Sequence, residues 1–411
     1  MSNLLNLSPK QLYNYKVALV VHIALLLLGV ILQNLFPRLT LTAIKYPFNV
    51  YFGLGYFNLL LISFLLFRKS KVVVWFCSIP ASIVSILFVL FYTILLGFIP
   101  QTEVSNNKVY TFLGLHQITQ SIPFLLVMFF FLTALGFVTL KRTIPFKKSN
   151  IGFLMNHFGL WLALLAGGLG SSDLQRLKMY LPYSEVVFTA QNQNDETIEL
   201  PFAFELQKFK MEVFPSNIAL FDKQKGEFIP SADNFFEAKT GNHQKILNFN
   251  IQVTQYLPEA FKGEDNVYLT SNEIGSTTAS YVKVIIDGAI KEGWIGAKNK
   301  YQNVQTLDLN NQYALALLPP EPKRFASELK VYTDNGDPEI MEVDVNHPLS
   351  IKGWEVYQFS YNDKLGKWSN YSIVEIVKDP WLPIVYFGLF LMILGAFYLI
   401  WKGKDQKIIK Q

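Results

Sequence analysis

Six runs of apolar residues are spaced along the chain, roughly Val17–Phe36, Phe48–Phe67, Val72–Ile99, Ile118–Leu140, Ile151–Leu169 and Trp381–Trp401. Each has the length and near-absence of charge of a helix that crosses a ~30 Å hydrocarbon core. The third run is the longest and contains Pro80, which predicts a kink or a steep tilt. Between the fifth and sixth runs the period changes from helical to two. Glu342 and Asp344 alternate with Met341, Val343 and Val345, and Glu355, Tyr357 and Phe359 alternate with Trp354 and Val356. Shorter runs of this kind lie at Ile246–Thr254, Tyr281–Ile286, Leu329–Thr333 and Ser372–Val377. Alternation at period two marks strands with one buried face. Asn335-Gly336 and Asp287-Gly288 fit tight turns. The pattern predicts a polytopic α-helical membrane protein with a large β-rich extracytoplasmic domain inserted before the last span. The β-rich part is expected to be an antiparallel sandwich, in two lobes. The implied domains are a five-helix bundle over 1–170, the β-rich domain over 171–379, a last span over 380–401 and a basic tail over 402–411.

Composition agrees with the pattern. Of 411 residues, 51% are hydrophobic and 16% charged, where a soluble protein carries roughly a quarter charged. The composition speaks against a purely soluble enzyme and against a disordered chain. The formal charge of +5 hides a division. Ser171–Asp379 holds 20 Lys+Arg and 29 Asp+Glu, and the rest holds 16 basic residues against Glu103 and Asp405. The basic excess lies beside the apolar runs, so it speaks for the positive-inside rule and not for nucleic acid.

That rule sets the direction of the spans. Lys10 and Lys16 precede the first; Arg68, Lys69 and Lys71 join the second to the third; Lys141, Arg142, Lys147 and Lys148 join the fourth to the fifth; Lys402, Lys404, Lys407 and Lys410 follow the sixth. All four groups fall on one side if every run crosses. The opposite connections hold Arg38 and Lys45, then Lys108 with Glu103. Both termini are therefore expected in the cytoplasm and the acidic block outside. The first run has no small-residue cleavage site and ends in Gln33 and Asn34, so it reads as a retained span. The single cysteine, Cys77, lies in the third run. Neither an intramolecular disulfide nor a CxxCH haem attachment site exists in this sequence.

Soluble-enzyme motifs are absent: there is no Walker loop, HExxH, GxSxG or GxGxxG. The five histidines, His22, His116, His157, His243 and His347, carry the remaining chemistry. His22 and His157 lie inside apolar runs, where an ionisable residue is a functional-site hypothesis by default. His22 is six residues past Lys16 and His157 nine past Lys148, so their depths differ by about 5 Å, toward the cytoplasmic half. They could face one site. Neutral imidazole is an axial ligand for haem iron, and a helix bundle is apolar enough for a porphyrin. The plainer reading is a buried histidine bonded to a neighbouring helix. His116 reads as a solvated interfacial residue or an external ligand, His243 as an exposed loop residue and His347, before Pro348, as structural. Past the fifth run, Arg176 and Lys178 either pair with anions such as haem propionates or anchor a helix end in headgroups. Asp173 could cap a helix there. Trp381 and Trp401 bracket the sixth run like interfacial belt residues.

The stretch Val345-Asn346-His347-Pro348-Leu349-Ser350-Ile351-Lys352-Gly353-Trp354-Glu355-Val356-Tyr357-Gln358-Phe359-Ser360-Tyr361 resembles a "VNxPL…G…YQ.SY" segment of the ResB family. Val377-Lys378-Asp379-Pro380-Trp381 through Gly388 is similar to the segment that leads into that family's last span. Pro319–Ser327 fits its preceding proline-containing segment, and Asn156-His157-Phe158-Gly159 to Lys178 resembles a Bacteroidetes-type version of the span before its external domain. The resemblance covers Asn156 to the C-terminus by order and topology. It implies a subunit of the system II cytochrome c synthase in the bacterial cytoplasmic (inner) membrane, with the large domain periplasmic. It implies haem b as a transient cargo, a CcsA-type membrane haem protein and apocytochrome c as partners, and a non-catalytic role for this chain alone within a haem lyase complex. The partner's tryptophan-rich WGxxWxWD segment has no counterpart here, which fits the stand-alone form. The family's intramembrane histidine corresponds to His157; His22 is an addition from depth alone. Drawings of the family show four spans, and six are counted here. A non-haem structural scaffold and a transporter subunit are the rival readings. Against the transporter, the spans hold almost no charge and no paired discontinuous helices.

Overall fold

The computed structural model describes residues 14–36, 44–102, 105–230, 234–286, 288–334 and 336–402. Lys10, Arg38, Glu103, Asp287, Asn335, Lys404, Asp405, Lys407 and Lys410, named above for charge or turns, lie outside them, as does the tail beyond Lys402. The chain divides into two compact units, Met1–Leu174 with Asp379–Gln411, and Gln175–Lys378.

The first unit is helical: α1 (Tyr15–Leu35), α2 (Phe48–Phe67), α3 (Lys71–Phe76), α4 (Ile79–Phe98), α5 (Lys108–Leu113), α6 (Ile122–Thr143), α7 (Ile151–Gly170) and α8 (Leu382–Lys402). Six of these are long and apolar enough to cross a membrane: α1, α2, α4, α6, α7 and α8. The third apolar run is not one kinked helix. It breaks at Cys77, because Ser78 takes an extended conformation and its Oγ accepts the amide of Ala81, with Pro80 in the first turn of α4. The same Ser-Ile-Pro device starts α6, where Ser121 Oγ accepts the amide of Phe124 and Pro123 follows. Such caps satisfy first-turn donors that have no helical partner, and proline loses nothing there. Helix α6 is the central element, packed by α1, α2, α3, α4 and α7. Helices α7 and α8 meet through small residues. A Cβ on Gly159 would lie 2.5 Å from the carbonyl oxygen of Gly388, and one on Gly388 2.7 Å from that of Gly159. Only glycine allows two backbones this close.

In the second unit every pair of named strands is antiparallel. Eight strands form one sheet in the order Glu339–Asp344, Pro322–Thr333, Thr197–Val213, Val186–Gln191, Gln175–Pro182, Tyr371–Lys378, Trp354–Tyr361 and Leu349–Ile351. It curls until its edge strand Glu339–Asp344 lies against the strands at the other edge. Leu177, Met179, Phe204, Leu206, Leu329 and Val356 fill the inside. The inner face also carries a polar trio that is fully or nearly fully buried. Ser327 Oγ lies 2.7 Å from Gln358 Oε1 and 2.8 Å from Ser372 Oγ, and Gln358 Nε2 donates to Ser372 Oγ at 2.9 Å. Hydrogen bonds within the trio remove the cost of burying it. Lys352 and Gly353, both at positive φ, make the two-residue turn that joins Leu349–Ile351 to Trp354–Tyr361, the hairpin geometry that favours glycine.

The other lobe is a sandwich. One sheet runs Ala289–Gly296, Thr277–Ile286, Phe249–Lys262 and His243–Ile246, with Tyr268–Thr270 beside Phe249–Lys262; the other runs Leu307–Asp308, Tyr313–Leu317, Asn217–Asp222 and Glu227–Phe228, with Phe236–Glu237 beside Asn217–Asp222. Ile218, Leu220, Phe249, Ile251, Val282 and Leu315 form their common core. Two lobes are thus present, but one of them is a single curled sheet and not a sandwich. The expected strand Ile246–Thr254 contains the turn between His243–Ile246 and Phe249–Lys262, and His243 is in a strand, not a loop.

Candidate functional site

His22 sits on α1 with no exposed surface. Its ring packs edge-on to Phe130 at 4.4 Å and against Phe88 at 5.2 Å. Nδ1 lies 2.8 Å from the Ala18 carbonyl oxygen. That carbonyl only accepts, so Nδ1 carries the proton and Nε2 the lone pair. Nε2 is buried with no hydrogen-bond partner, and so is Trp75 Nε1 in the same aromatic cluster. The donor chemistry suits a metal. The enclosure does not suit a macrocycle, which would have to displace Phe88 and Phe130 to reach the nitrogen.

His157, on α7, is half-buried. Its Nδ1 donates to the Phe153 carbonyl at 3.1 Å, and its ring stacks on Phe153 with centroids 3.7 Å apart. Nε2 is left as the lone-pair nitrogen. Arg142, from the end of α6, lies 5.3 Å over the Phe153 ring. An imidazole fixed in one tautomer by a backbone carbonyl, half-open, with a guanidinium beside it, fits an axial ligand for an anionic porphyrin. Sequence reading counted Arg142 only as a charge that orients the spans.

The two histidines do not share a site. His22 packs on Phe130 of α6. Trp161, one turn along α7 from His157, donates its indole proton to the carbonyl of Leu132. Residues 130 and 132 are roughly 200° apart around a helix of 3.6 residues per turn, so α1 and α7 approach α6 from different sides. Arg176 lies exposed in the strand Gln175–Pro182, opposite Val377, in the other unit. His116 is part-buried, its Nδ1 3.5 Å from the Tyr110 carbonyl.

Asp173 caps no helix; the next element is a strand. Its carboxylate accepts from the Tyr46 amide (2.9 Å), Asn49 Nδ2 (2.7 Å) and Trp381 Nε1 (2.7 Å). Burial pushes this carboxyl up, but those donors, with Lys45, hold it below the ordinary carboxylate value.

In the β unit, Asp344 is the best-wired acid. Oδ1 accepts the amides of Asn346 (2.8 Å) and His347 (2.7 Å), and Oδ2 accepts Arg324 Nε (3.1 Å) and Nη2 (2.9 Å). His347 Nδ1 lies 3.1–3.2 Å from both oxygens. Burial raises the Asp344 carboxyl, but the amide and ring of His347, Arg324 and the Asn346 amide outweigh it and hold the group well under the usual range. Arg324 also bridges Glu342 and Glu212, and Lys210 bridges Glu342 and Glu328.

Six long apolar helices with a β-rich unit between the fifth and the last of them define a polytopic, membrane-type architecture. The ResB-like family model matches residues 309–374, which run from just before the strand Tyr313–Leu317 into Tyr371–Lys378. The chain is ResB-like over these residues, and Asp344, His347 and the Ser327–Gln358–Ser372 trio lie within them. No curated protein matches the chain. Among solved structures, "Cytochrome c Heme Lyase CcmF" aligns at 12% identity with a TM-score of 0.24, over 94% of this chain and 46% of that one. The chain therefore spans less than half of that structure, and a TM-score so low lends no weight to a common fold.

Proposed function

We propose that this chain serves cytochrome c biogenesis as a ResB-like subunit of the bacterial cytoplasmic membrane, with both termini cytoplasmic and the β unit periplasmic. The ResB-like match at 309–374 carries this reading, and the basic connections support the orientation. The cargo is haem. His157 offers Nε2 to its iron, and Arg142 pairs with a propionate. The second axial position falls to a CcsA-type partner, because His22 is enclosed on another side of α6. The chain performs no covalent chemistry alone; it holds the cargo while the complex presents it to the CxxCH thiols of an apocytochrome. The β unit, rich in carboxylates, steers a basic apocytochrome or the partner, since opposite charge favours encounter more than raw affinity.

Co-expression of the full chain with a CcsA-type partner, followed by an absorption spectrum of the purified complex, tests this. A haem-bearing complex is expected, with its haem content reduced in His157→Ala and kept in His116→Ala. A colourless wild-type complex, or unchanged haem in His157→Ala, overturns it.

A further inference from the structure

We propose that His347 is a second imidazole ligand, on the β unit, for an iron porphyrin. The turn Asp344–His347 is built to present this ring. Backbone amides, Arg324 and the ring's own Nδ1 occupy the Asp344 carboxylate, which is 7% exposed, while the His347 side chain is 86% exposed. A ring that gives its Nδ1 proton to a carboxylate keeps its lone pair on Nε2, the arrangement that orients metal-bound histidines.

The ligand class follows from the count of donors. Among the described residues no group of three or more His, Cys, Asp or Glu could hold a bare metal ion. One imidazole suffices only for a metal that brings its own equatorial donors. A porphyrin also needs apolar ground and a cation. Val345, two residues before His347, lines an open groove with Phe325, Phe359 and Tyr361, with Glu375 at its polar side. Lys178 Nζ stands 4.2 Å over the Phe359 ring, placed for a propionate. The choice of iron porphyrin over another metal macrocycle rests on the haem reading above; the presentation of the ring does not.

Titration of the purified full chain with ferric protoporphyrin IX, followed in the Soret band, tests this. Two binding events are expected. His347→Ala should remove one and His157→Ala the other. Asp344→Asn should weaken the His347 event about tenfold, the cost of removing a histidine's outer partner, and leave the His157 event in place. His243→Ala, an exposed histidine without a carboxylate, should change nothing. Two undiminished events in His347→Ala overturn the proposal while the His157 reading stands, and loss of the His157 event alone does the reverse. An Asp344→Asn affinity equal to wild type also overturns it. Thermal melts verify folding, and His347→Gln repeats the ligand test with a side chain of similar polarity.

Discussion

Asp173 and Trp381 meet at the end of the helical unit, the indole Nε1 donating to Oδ2 at 2.7 Å. One residue stands where the chain leaves that unit and the other where it returns, so this hydrogen bond closes the two passages on each other. Tyr46 and Asn49 bring in the start of α2. Removing the carboxylate takes an acceptor from the Tyr46 amide, Trp381 Nε1 and Asn49 Nδ2, of which Asn49 keeps the Leu169 carbonyl at 3.1 Å. Asp173→Ala should cost about 1–2 kcal/mol, the lower part of the range for donors that lose an acceptor. The midpoint of thermal unfolding in detergent measures this; an unchanged midpoint would refute the clamp.

The β unit should lose stability in acid. The Asp344 carboxyl titrates lower in the folded chain than in the unfolded one. Its contribution is complete above the unfolded value of about 4 and disappears as pH falls through the folded value. The urea concentration needed to expose the β unit to protease should therefore drop steadily below about pH 5. Asp344→Asn should lower that concentration at neutral pH and flatten its dependence on pH. A variant with the wild-type slope would show that other acids carry the effect.

The α7–α8 contact leaves no room for a side chain at its centre. Gly159→Val places a Cβ 2.5 Å from a backbone oxygen and 2.9 Å from the Met392 nitrogen. Overpacking of this kind costs about 1–3 kcal/mol or more, and backbone atoms cannot move aside like a flexible side chain. Reduced yield of folded protein and faster proteolysis of α8 in membranes are expected. Gly167→Val, on the same helix with nothing within 4 Å, should behave as wild type.

His22 should act as a packing residue. His22→Ala opens a cavity beside Phe88 and Phe130 and should cost about 2–4 kcal/mol. His22→Phe keeps the ring contacts and discards the unpartnered nitrogen, so its cost should be under about 1.5 kcal/mol. Haem content of the complex should follow folded protein in both variants. A selective loss of haem from well-folded His22→Phe would restore His22 as a ligand.

Hydrophobic period was enough to place the six long helices and many of the strands, because each is a local pattern. An expected depth for His22 and His157 was legible from residue counts. Their azimuth was not, since it depends on which face of α6 each helix meets. Ser78-Ile79-Pro80 did carry a start signal inside the third apolar run, but continuous hydropathy masked it. Period two marked Val343, Trp354 and Val356 as inward residues of the curled sheet but failed at the end of Glu339–Asp344, where Asp344 is buried and Val345 exposed, and the choice between a closed sheet and a sandwich depends on edge strands far apart in sequence. Asp173 looked like a cap because it follows a helix; its real partners, Tyr46, Asn49 and Trp381, are more than a hundred residues away along the chain.

The glycine seam between α7 and α8 also orders events in biosynthesis. Its two halves are separated by the whole of Gln175–Lys378, so the ribosome finishes α7 long before α8 exists. During that interval Gly152 and Gly159 face lipid or a chaperoning insertase, and α7 lacks its main neighbour. The bundle can close only once the β strands have been made and the last helix has been inserted. A chain truncated within the β unit would lack α8 and leave the glycine face of α7 without its counterpart.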